Sequence, residues 1–394
     1  MMGRSLARAG ASVTWWTASW SHQMKRERAK PGTCVDVEPG FKIRVLYSPS
    51  YRRHIGFRRL AFEHRFAREF RRQAGNEPPP DVVIVREPPG SAVSAVFRAT
   101  RGTESQVVID VFDTWPELFR HALPAWAKPF DRMLFRPMYA RRSRNLRRAD
   151  ATLAVCETYL ELAFAEAPEL RTKPADVVFI GIDVAKTGTR ARAAFEGAGE
   201  RPSRGTAGVC RVIYAGTFGL HYDIQTVLAA AARLRDVSPG ISFVFAGTGP
   251  WLEPLVQAID SCGLRNVTYL GHLHPDQLSA EYELADVALC SYSRDSTVAM
   301  PTKIYDYLAA GLPVLTSLPG EAKELLLKSG AGLAYEAGNA ASLAAVLERV
   351  ANDPGLRANL AANSRRIGAQ FDESVQYAKV VRLVRSLVAA TDDE

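Results

Sequence analysis

The sequence predicts an α/β protein built from doubly wound parallel sheets, and three observations carry that prediction. Between residues 210 and 316 short apolar strands alternate strictly with helical patterns, as right-handed βαβ units require. Residues 81–86 and 106–112 are continuous β-branched runs, the pattern of strands covered on both faces. The 394 residues, 47% hydrophobic and 23% charged, are long enough for two cores.

In chain order, the first half is expected to open with a short helix at 3–9 and a strand near 12–18. The strands at 81–86 and 106–112 follow, then short strands at 151–155 and 177–181. Residues 185–208 turn to Thr, Arg, Gly, Glu and Ser with no hydrophobic period, so they are read as a linker between domains 1–184 and 209–370. In the second half strands are expected at 210–215, 242–246, 267–270, 287–290 and 313–316, separated by helices at 224–234, 251–262, 275–285 and 301–310. Further helices are expected at 321–327, 341–351, 355–367 and 374–387. The last finds no partner inside a completed sheet domain, so residues 371–394 are expected to cross back onto the first domain.

Composition narrows the class. No run of about 18 apolar residues exists to span a bilayer, and the opening residues lack the apolar centre of a signal peptide. The expected location is the cytoplasm. Cys34, Cys156, Cys210, Cys262 and Cys290 are widely spaced, with no CxxC and no His at ligand spacing, so neither disulfides nor a cysteine-bound metal is expected. The net charge of +8 is concentrated in the first half: eight arginines lie from Arg52 to Arg72 around Phe62, Phe66 and Phe70, and a second basic run covers 132–148. Nucleic acid, an anionic membrane surface or a diphosphate-bearing lipid would each suit such runs. An arginine-coated helix whose Phe stripe faces its own core suits them equally.

Four expected strand ends in the second half carry residues that let backbone approach a ligand. They are Gly216-Thr217-Phe218-Gly219, Gly247-Thr248-Gly249, Gly271-His272-Leu273-His274 and the stretch 296–301 ahead of Lys303. Glycine removes Cβ, and a following helix offers unpaired N–H groups to an anion. Neither GxxxxGK[ST] nor GxGxxG occurs, which points away from P-loop and dinucleotide folds.

The ordered runs AGTFGLHYDIQTVLAAAARL, FVFAGTGPWLEPL, VTYLGHLHPDQLSAEYELADVALCSY and MPTKIYDYLAAGLPVLTS resemble the C-terminal half of a retaining glycosyltransferase of family 4 with the GT-B fold. In the first half, VVIDVFDTWPELF, ADATLAVCETYLELA and VVFIGIDVA resemble segments of the same family, as does the opening SLARAGASVTWWTASWSHQMK. Bacterial transferases building lipid-linked surface polysaccharides form the nearest subgroup. The resemblance implies two Rossmann-like domains facing a cleft, a nucleotide-sugar donor, and a polyprenyl-diphosphate-linked or saccharide acceptor. It further implies retention at the anomeric carbon, no cofactor, no bound metal and no nucleic-acid partner. The basic segment from Arg52 to Arg72 then becomes a candidate contact with the inner face of the plasma membrane.

Residue by residue, the resemblance places Asp306 on the ribose hydroxyls and the backbone of Met300, Pro301 and Thr302 around the donor sugar and phosphate, with Lys303 as a counter-charge. His272 and Leu273 would meet the base, Gly216, Phe218 and Gly219 would lie near the diphosphate, and Gly247 and Gly249 near the nucleoside. Asp113, ahead of Trp115 and Pro116, is a candidate for positioning the acceptor, with a helix N-cap as its plain structural role. His22 is a second cleft candidate.

The departures are specific. Val298 stands where the family has its first acid, and the basic pair expected after the first strand of the second half is absent, leaving Arg294, His221 or Lys303 as substitutes. Relatives also begin with a strand and Gly-rich loop that this chain lacks, so a late start of the reading frame is expected. A nucleotide-sugar epimerase of the same fold, or an inactive nucleotide-binding scaffold, are the alternatives.

Overall fold

The computed structural model describes residues 1–21, 25–51, 56–185, 207–219 and 221–392, so most of the expected linker at 185–208 lies outside them. The chain forms two compact units. One comprises Met1–Phe179 with Gln376–Glu394, the other Ile180–Val375.

The first unit opens with the helix Met2–Arg8, where Gly3 leaves room for the Phe41 ring, 2.8 Å from the position a Cβ would take. Strand β1 (Val13–Ala18) pairs in parallel with β3 (Phe41–Leu46), which pairs antiparallel with β2 (Cys34–Glu38). The β2–β3 hairpin turns at Pro39 and Gly40, the latter at φ 77°. It was not among the expected elements, because β2 is largely exposed and its two valines alternate with acids instead of forming an apolar run.

A second sheet of this unit runs β4 (Val82–Glu87), β5 (Gln106–Val111), β6 (Ala151–Ala154) and β7 (Ala175–Val177), all parallel and in that order. β5 is buried almost throughout, as its continuous β-branched run predicts, while β4 is an edge strand with Arg86 exposed. β7 lies earlier than the expected 177–181: Thr152 pairs with Ala175, and the last ladder bond runs from Val178 N–H to the Ala154 carbonyl. After Val178 the chain leaves the sheet, and the Phe179 N–H is taken by the Gln376 side chain.

The helix Phe57–Ala74 settles the meaning of the Phe stripe. Phe62 packs on Tyr51 and Phe70 on Trp16, with ring centroids 5.0 and 5.5 Å apart, while Glu63 and Ala67 are buried between them. Phe62 and Phe70 therefore pack within their own unit, while most of the helix's arginines are exposed together with Phe57 (91%) and Leu60 (41%). Arg52 and Arg53 lie outside the described residues.

The helix Glu373–Asp392 starts in the second unit and continues in the first, where Val380, Leu383 and Leu387 share a core with Val108, Ala151, Leu153 and Val178. Lys379 Nζ donates to the Val177 carbonyl at 2.7 Å and Arg385 to the Ala9 carbonyl at 3.0 Å.

The second unit is one six-stranded parallel sheet: β8 (Cys210–Thr217), β9 (Ile241–Thr248), β10 (Val267–Tyr269), β11 (Val287–Cys290), β12 (Val314–Thr316) and β13 (Gly332–Ala334). Their spatial order is β10-β9-β8-β11-β12-β13. The order reverses at β8, so the crevice at the carboxyl ends of β8 and its neighbours is a topological switch point, where open α/β sheets hold ligands. β13 escaped the sequence reading because three residues led by a glycine carry no periodic signal. The core joins Tyr214, Phe243 and Phe245 to Val227 and Leu234 of the helix Ile224–Val237 and to Leu343 and Leu347 of the helix Ala340–Asn352.

Candidate functional site

A recess of about 230 Å³ opens at the carboxyl ends of β8, β9 and β10. Gly216 and Thr217 line it from β8, Ala246, Gly247 and Thr248 from β9, His272 and Leu273 from the turn after β10, and Leu278 from the helix Pro275–Leu284. Of the expected donor residues it gathers Gly216, Gly247, His272 and Leu273. A larger hollow of about 400 Å³ sits around Asp36, Glu38 and Gly40 at the amino ends of β1 and β3, the wrong end of the strands and lined by acids.

The glycines at these tips have distinct reasons. A Cβ on Gly247 would lie 1.9 Å from the Gly216 carbonyl oxygen, and one on Gly249 would lie 2.1 Å from the Phe218 oxygen. Both also have positive φ, 140° and 158°. Neighbouring backbone thus occupies the space a Cβ would need, so both positions require glycine for loop packing, while Gly247 also lines the recess. Gly219 meets only Tyr222 at ordinary contact distance. Phe218 is fully buried against Tyr214, Phe245 and Tyr269, so its ring belongs to the core and not to a donor contact.

Lys303 is the decisive group. It lies on the second residue of the helix Thr302–Ala309, yet it is buried rather than solvated. Its ammonium stands 4.0, 4.7 and 5.6 Å from the ring centroids of Tyr214, Tyr222 and Tyr292, and among the described residues Nζ has no hydrogen-bond partner. The position of a Cβ on Gly216 lies 3.2 Å from Nζ, so the ammonium sits directly behind the residue that lines the recess. Burial lowers its pKa to about 8, with no carboxylate beside it to restore the charge. Ring faces supply part of the lost solvation through cation–π attraction. An anion arriving at the strand tips would supply the rest.

Around this lysine, Pro301 is the N-cap and Met300 is buried, and the helix opens without a side-chain cap. Tyr307 ties the helix to β8: its hydroxyl accepts the Ala215 N–H at 2.9 Å and lies 3.3 Å from the Ala215 carbonyl. Thr302 and Asp306, one turn apart, both face outward. Asp306 is exposed and does not line the recess, and desolvation by the surrounding protein raises its carboxyl to about 6. Arg294, one of the expected substitutes for the missing basic pair, is occupied at the surface by Glu336 at 3.0 Å and by the Ala337 carbonyl. Val298 is half-buried.

In the first unit Asp113 stands just beyond the carboxyl end of β5, and burial raises its pKa. It accepts the Thr114 N–H at 2.8 Å, and the following 3-10 helix Glu117–Ala122 has no side-chain cap, so Asp113 is not an N-cap. Beside it, the ring of Trp115 carries the Arg59 guanidinium at 5.2 Å, and Arg59 is itself paired with Glu63 at 2.7 Å. Arg142 holds the same turn from below: it donates to the Trp115 carbonyl and binds Glu117 and Glu166. His22 lies outside the described residues. Among the described residues no three His, Cys, Asp or Glu side chains gather as metal ligands.

Sequence reasoning missed the tyrosine cage and Leu278, and named Thr217 and Thr248 only as members of the glycine-bearing strand ends. The threonines follow the tip glycines directly and were legible as a repeated Gly-Thr. Tyr214 lies within a strand and reads as core until Lys303 is seen against it.

Comparison with known proteins supplies independent findings for both units. The profile of the family "Glycosyl transferases group 1" matches residues 208–367, and that of "Glycosyl transferase 4-like domain" matches residues 1–182. Glycogen synthase of Mycobacterium tuberculosis is 30% identical over 200 residues, which cover 50% of this chain and 44% of that protein. From the same organism, a GDP-mannose-dependent alpha-(1-6)-phosphatidylinositol monomannoside mannosyltransferase is 30% identical over 117 residues, 28% of this chain and 30% of that protein. The chain thus spans less than half the length of these curated relatives. Sucrose-phosphate synthase of Thermosynechococcus elongatus superposes with a TM-score of 0.73 at 19% identity, covering 99% of this chain and 92% of that one. The shared fold is GT-B, with two Rossmann-like units.

Proposed function

We infer that this chain, a GT-B glycosyltransferase, moves a sugar from a nucleotide-sugar donor bound by its second unit to a saccharide or lipid-linked acceptor. The observation that carries this reading is the buried, unpartnered Lys303 ammonium immediately behind Gly216, at the switch point of a parallel sheet. In the reaction the C1–O bond to the diphosphate breaks, a C1–O bond to the acceptor hydroxyl forms on the same face of the sugar, and the hydroxyl proton is released. Negative charge grows on the leaving diphosphate, and a preorganised ammonium in a dry site stabilises it strongly. The uncapped start of the helix Thr302–Ala309 adds its dipole to the same end.

His272 and Leu273 border the recess that would take the base, Asp306 would meet the ribose, and Asp113 would position the acceptor in the first unit. Lys303 replaces the missing basic pair, and the chemistry proceeds without a resident metal or cofactor. A lipid-borne acceptor in cell-surface polysaccharide assembly, at the cytoplasmic side of the membrane, is favoured by the relative whose name specifies a phosphatidylinositol mannoside. The test is thermal stabilisation by a panel of nucleoside diphosphates and nucleotide sugars, followed by turnover with the one that binds. One diphosphate should raise the melting temperature of the native chain and fail to do so for Lys303→Met. The anomeric configuration of the product, read by NMR, decides retention. Donor binding with no turnover on any acceptor would replace this reading with a scaffold.

A further inference from the structure

The segment between Asp113 and the helix Arg136–Arg147 exposes more apolar surface than its own packing requires. It consists of the 3-10 helices Glu117–Ala122 and Ala125–Phe130 and the short helix Asp131–Leu134. On the inner side Phe119 lies tilted between Trp115 and Phe135, with ring centroids 4.8 and 5.6 Å away, and Ala127 is buried. On the outer side Trp126 is 77% exposed, Met133 68%, Phe130 53% and Leu134 51%. Trp126 and Phe130 lie on the 3-10 helix Ala125–Phe130, and Met133 and Leu134 on the short helix that follows it directly, so the four exposed side chains crowd into one short segment. A tryptophan, a phenylalanine, a methionine and a leucine held outward together form a patch with a purpose.

The charges around it have one sign. Lys128, Arg132 and Arg136 have no carboxylate at ion-pair distance among the described residues. The two acids of the segment are already neutralised: Asp131 by Arg120 at 3.6 Å and Glu117 by the buried Arg142. An isologous contact with a second copy would set these cations against each other. An aromatic and aliphatic face fringed by Trp and free Lys and Arg matches the boundary of an anionic bilayer, where the rings enter the headgroup level and the cations meet phosphates. We propose that the face carrying Trp126, Phe130, Met133 and Leu134, with Lys128, Arg132 and Arg136, docks the protein on an anionic lipid surface. Among the described residues no helix is long and apolar enough to cross a membrane. The docking face gives a site to the lipid-borne acceptor proposed above, and its test is independent of sugar transfer.

The test is co-sedimentation of the full chain with phosphatidylcholine vesicles, with and without phosphatidylglycerol, in the absence of donor. The native chain should partition onto the anionic vesicles at least about tenfold better, and added salt should weaken that preference. Trp126→Ser with Met133→Ser, and separately Lys128→Glu with Arg132→Glu, should each lower partitioning about tenfold or more while the melting temperature and the donor-induced shift stay unchanged. Arg65→Glu with Arg68→Glu, on the Phe57–Ala74 helix, is the control and should leave much more of the binding intact. Equal partitioning onto neutral and anionic vesicles would overturn the proposal. So would loss of binding only in the control pair, or a native dimer that the Trp126 and Met133 changes disperse without altering vesicle binding. Vesicle binding without any donor-induced shift would uphold the docking face and remove the transferase reading.

Discussion

Lys303 sets the terms at the scale of the residue, because a buried ammonium without a carboxylate is costly to the folded state. Its folded pKa of about 8 lies below that of the unfolded chain, so the unfolded state binds more protons between pH 8 and the ordinary lysine range. Stability therefore rises with pH through that window, by up to about 3 kcal/mol. Lys303→Met should stabilise the unliganded protein by roughly 1–3 kcal/mol at pH 7 and show a smaller gain near pH 10. Urea titrations at the two pH values measure both, and a destabilised variant would mean that the cage contributes more than burial costs. The tip glycines make a second, contrasting prediction. Gly249→Ala places a methyl 2.1 Å from a carbonyl oxygen and should cost about 3 kcal/mol or more. Gly271→Ala meets no atom within 4 Å and faces only its positive φ of 78°, so it should cost about 1 kcal/mol. The two denaturation midpoints decide whether the glycines serve backbone packing.

Elements are coupled to the sites by a few polar contacts. The helix Thr302–Ala309 is held to the end of β8 by the Tyr307 hydroxyl, so Tyr307→Phe should lose about 1–2 kcal/mol and loosen the Lys303 cage. Weaker diphosphate stabilisation, read as a smaller thermal shift, would report that loosening. In the first unit the turn after Asp113 is anchored by Arg142. Arg142→Met would strand Glu117 and Glu166 and should cost about 3–5 kcal/mol in thermal or urea unfolding. Glu87 lies at the end of β4, its carboxyl raised to about 7 by burial against the opposing pull of Arg142 and Arg141. The folded state keeps that proton after the unfolded chain has released it, so this group's contribution falls as pH rises from about 4.5 through 7. Glu87→Gln should flatten that slope in a pH series of melting temperatures.

For the whole molecule, the C-terminal helix is the test of how the chain is shared between units. Val380, Leu383 and Leu387 fill the core of the first unit although the 195 residues before Val375 belong to the second. Ending the chain after Val375 would bare Val108, Leu153 and Val178, each worth about 1.5–3 kcal/mol when covered. The first unit should then unfold at a lower temperature or not fold, while the second retains its transition and its diphosphate response. Scanning calorimetry of the shortened chain separates the two, and an unchanged first transition would show that the helix is dispensable there.

The local order of the second half was legible because the strands from β8 to β12 are short, mainly apolar runs that alternate with helices carrying an apolar period. Parallel alternation of that kind leaves one architecture, and with it the strand tips as the place for a ligand. The amphipathic hairpin β2–β3 and the three-residue β13 stayed hidden, since pairing rather than periodicity makes them strands. At the site, sequence alone singled out Gly216, His272 and Asp306, named Lys303 as a counter-charge without its cage, and placed Phe218 near the diphosphate. Only the tertiary structure enclosed Lys303 in Tyr214, Tyr222 and Tyr292 and sank Phe218 in the core, because these contacts join residues up to 89 positions apart. The same holds for the two apolar faces of the first unit. Phe62, Phe66 and Phe70 and the group around Trp126 look alike in sequence, and only packing decided that the first set is spent on the core while the second remains turned toward water.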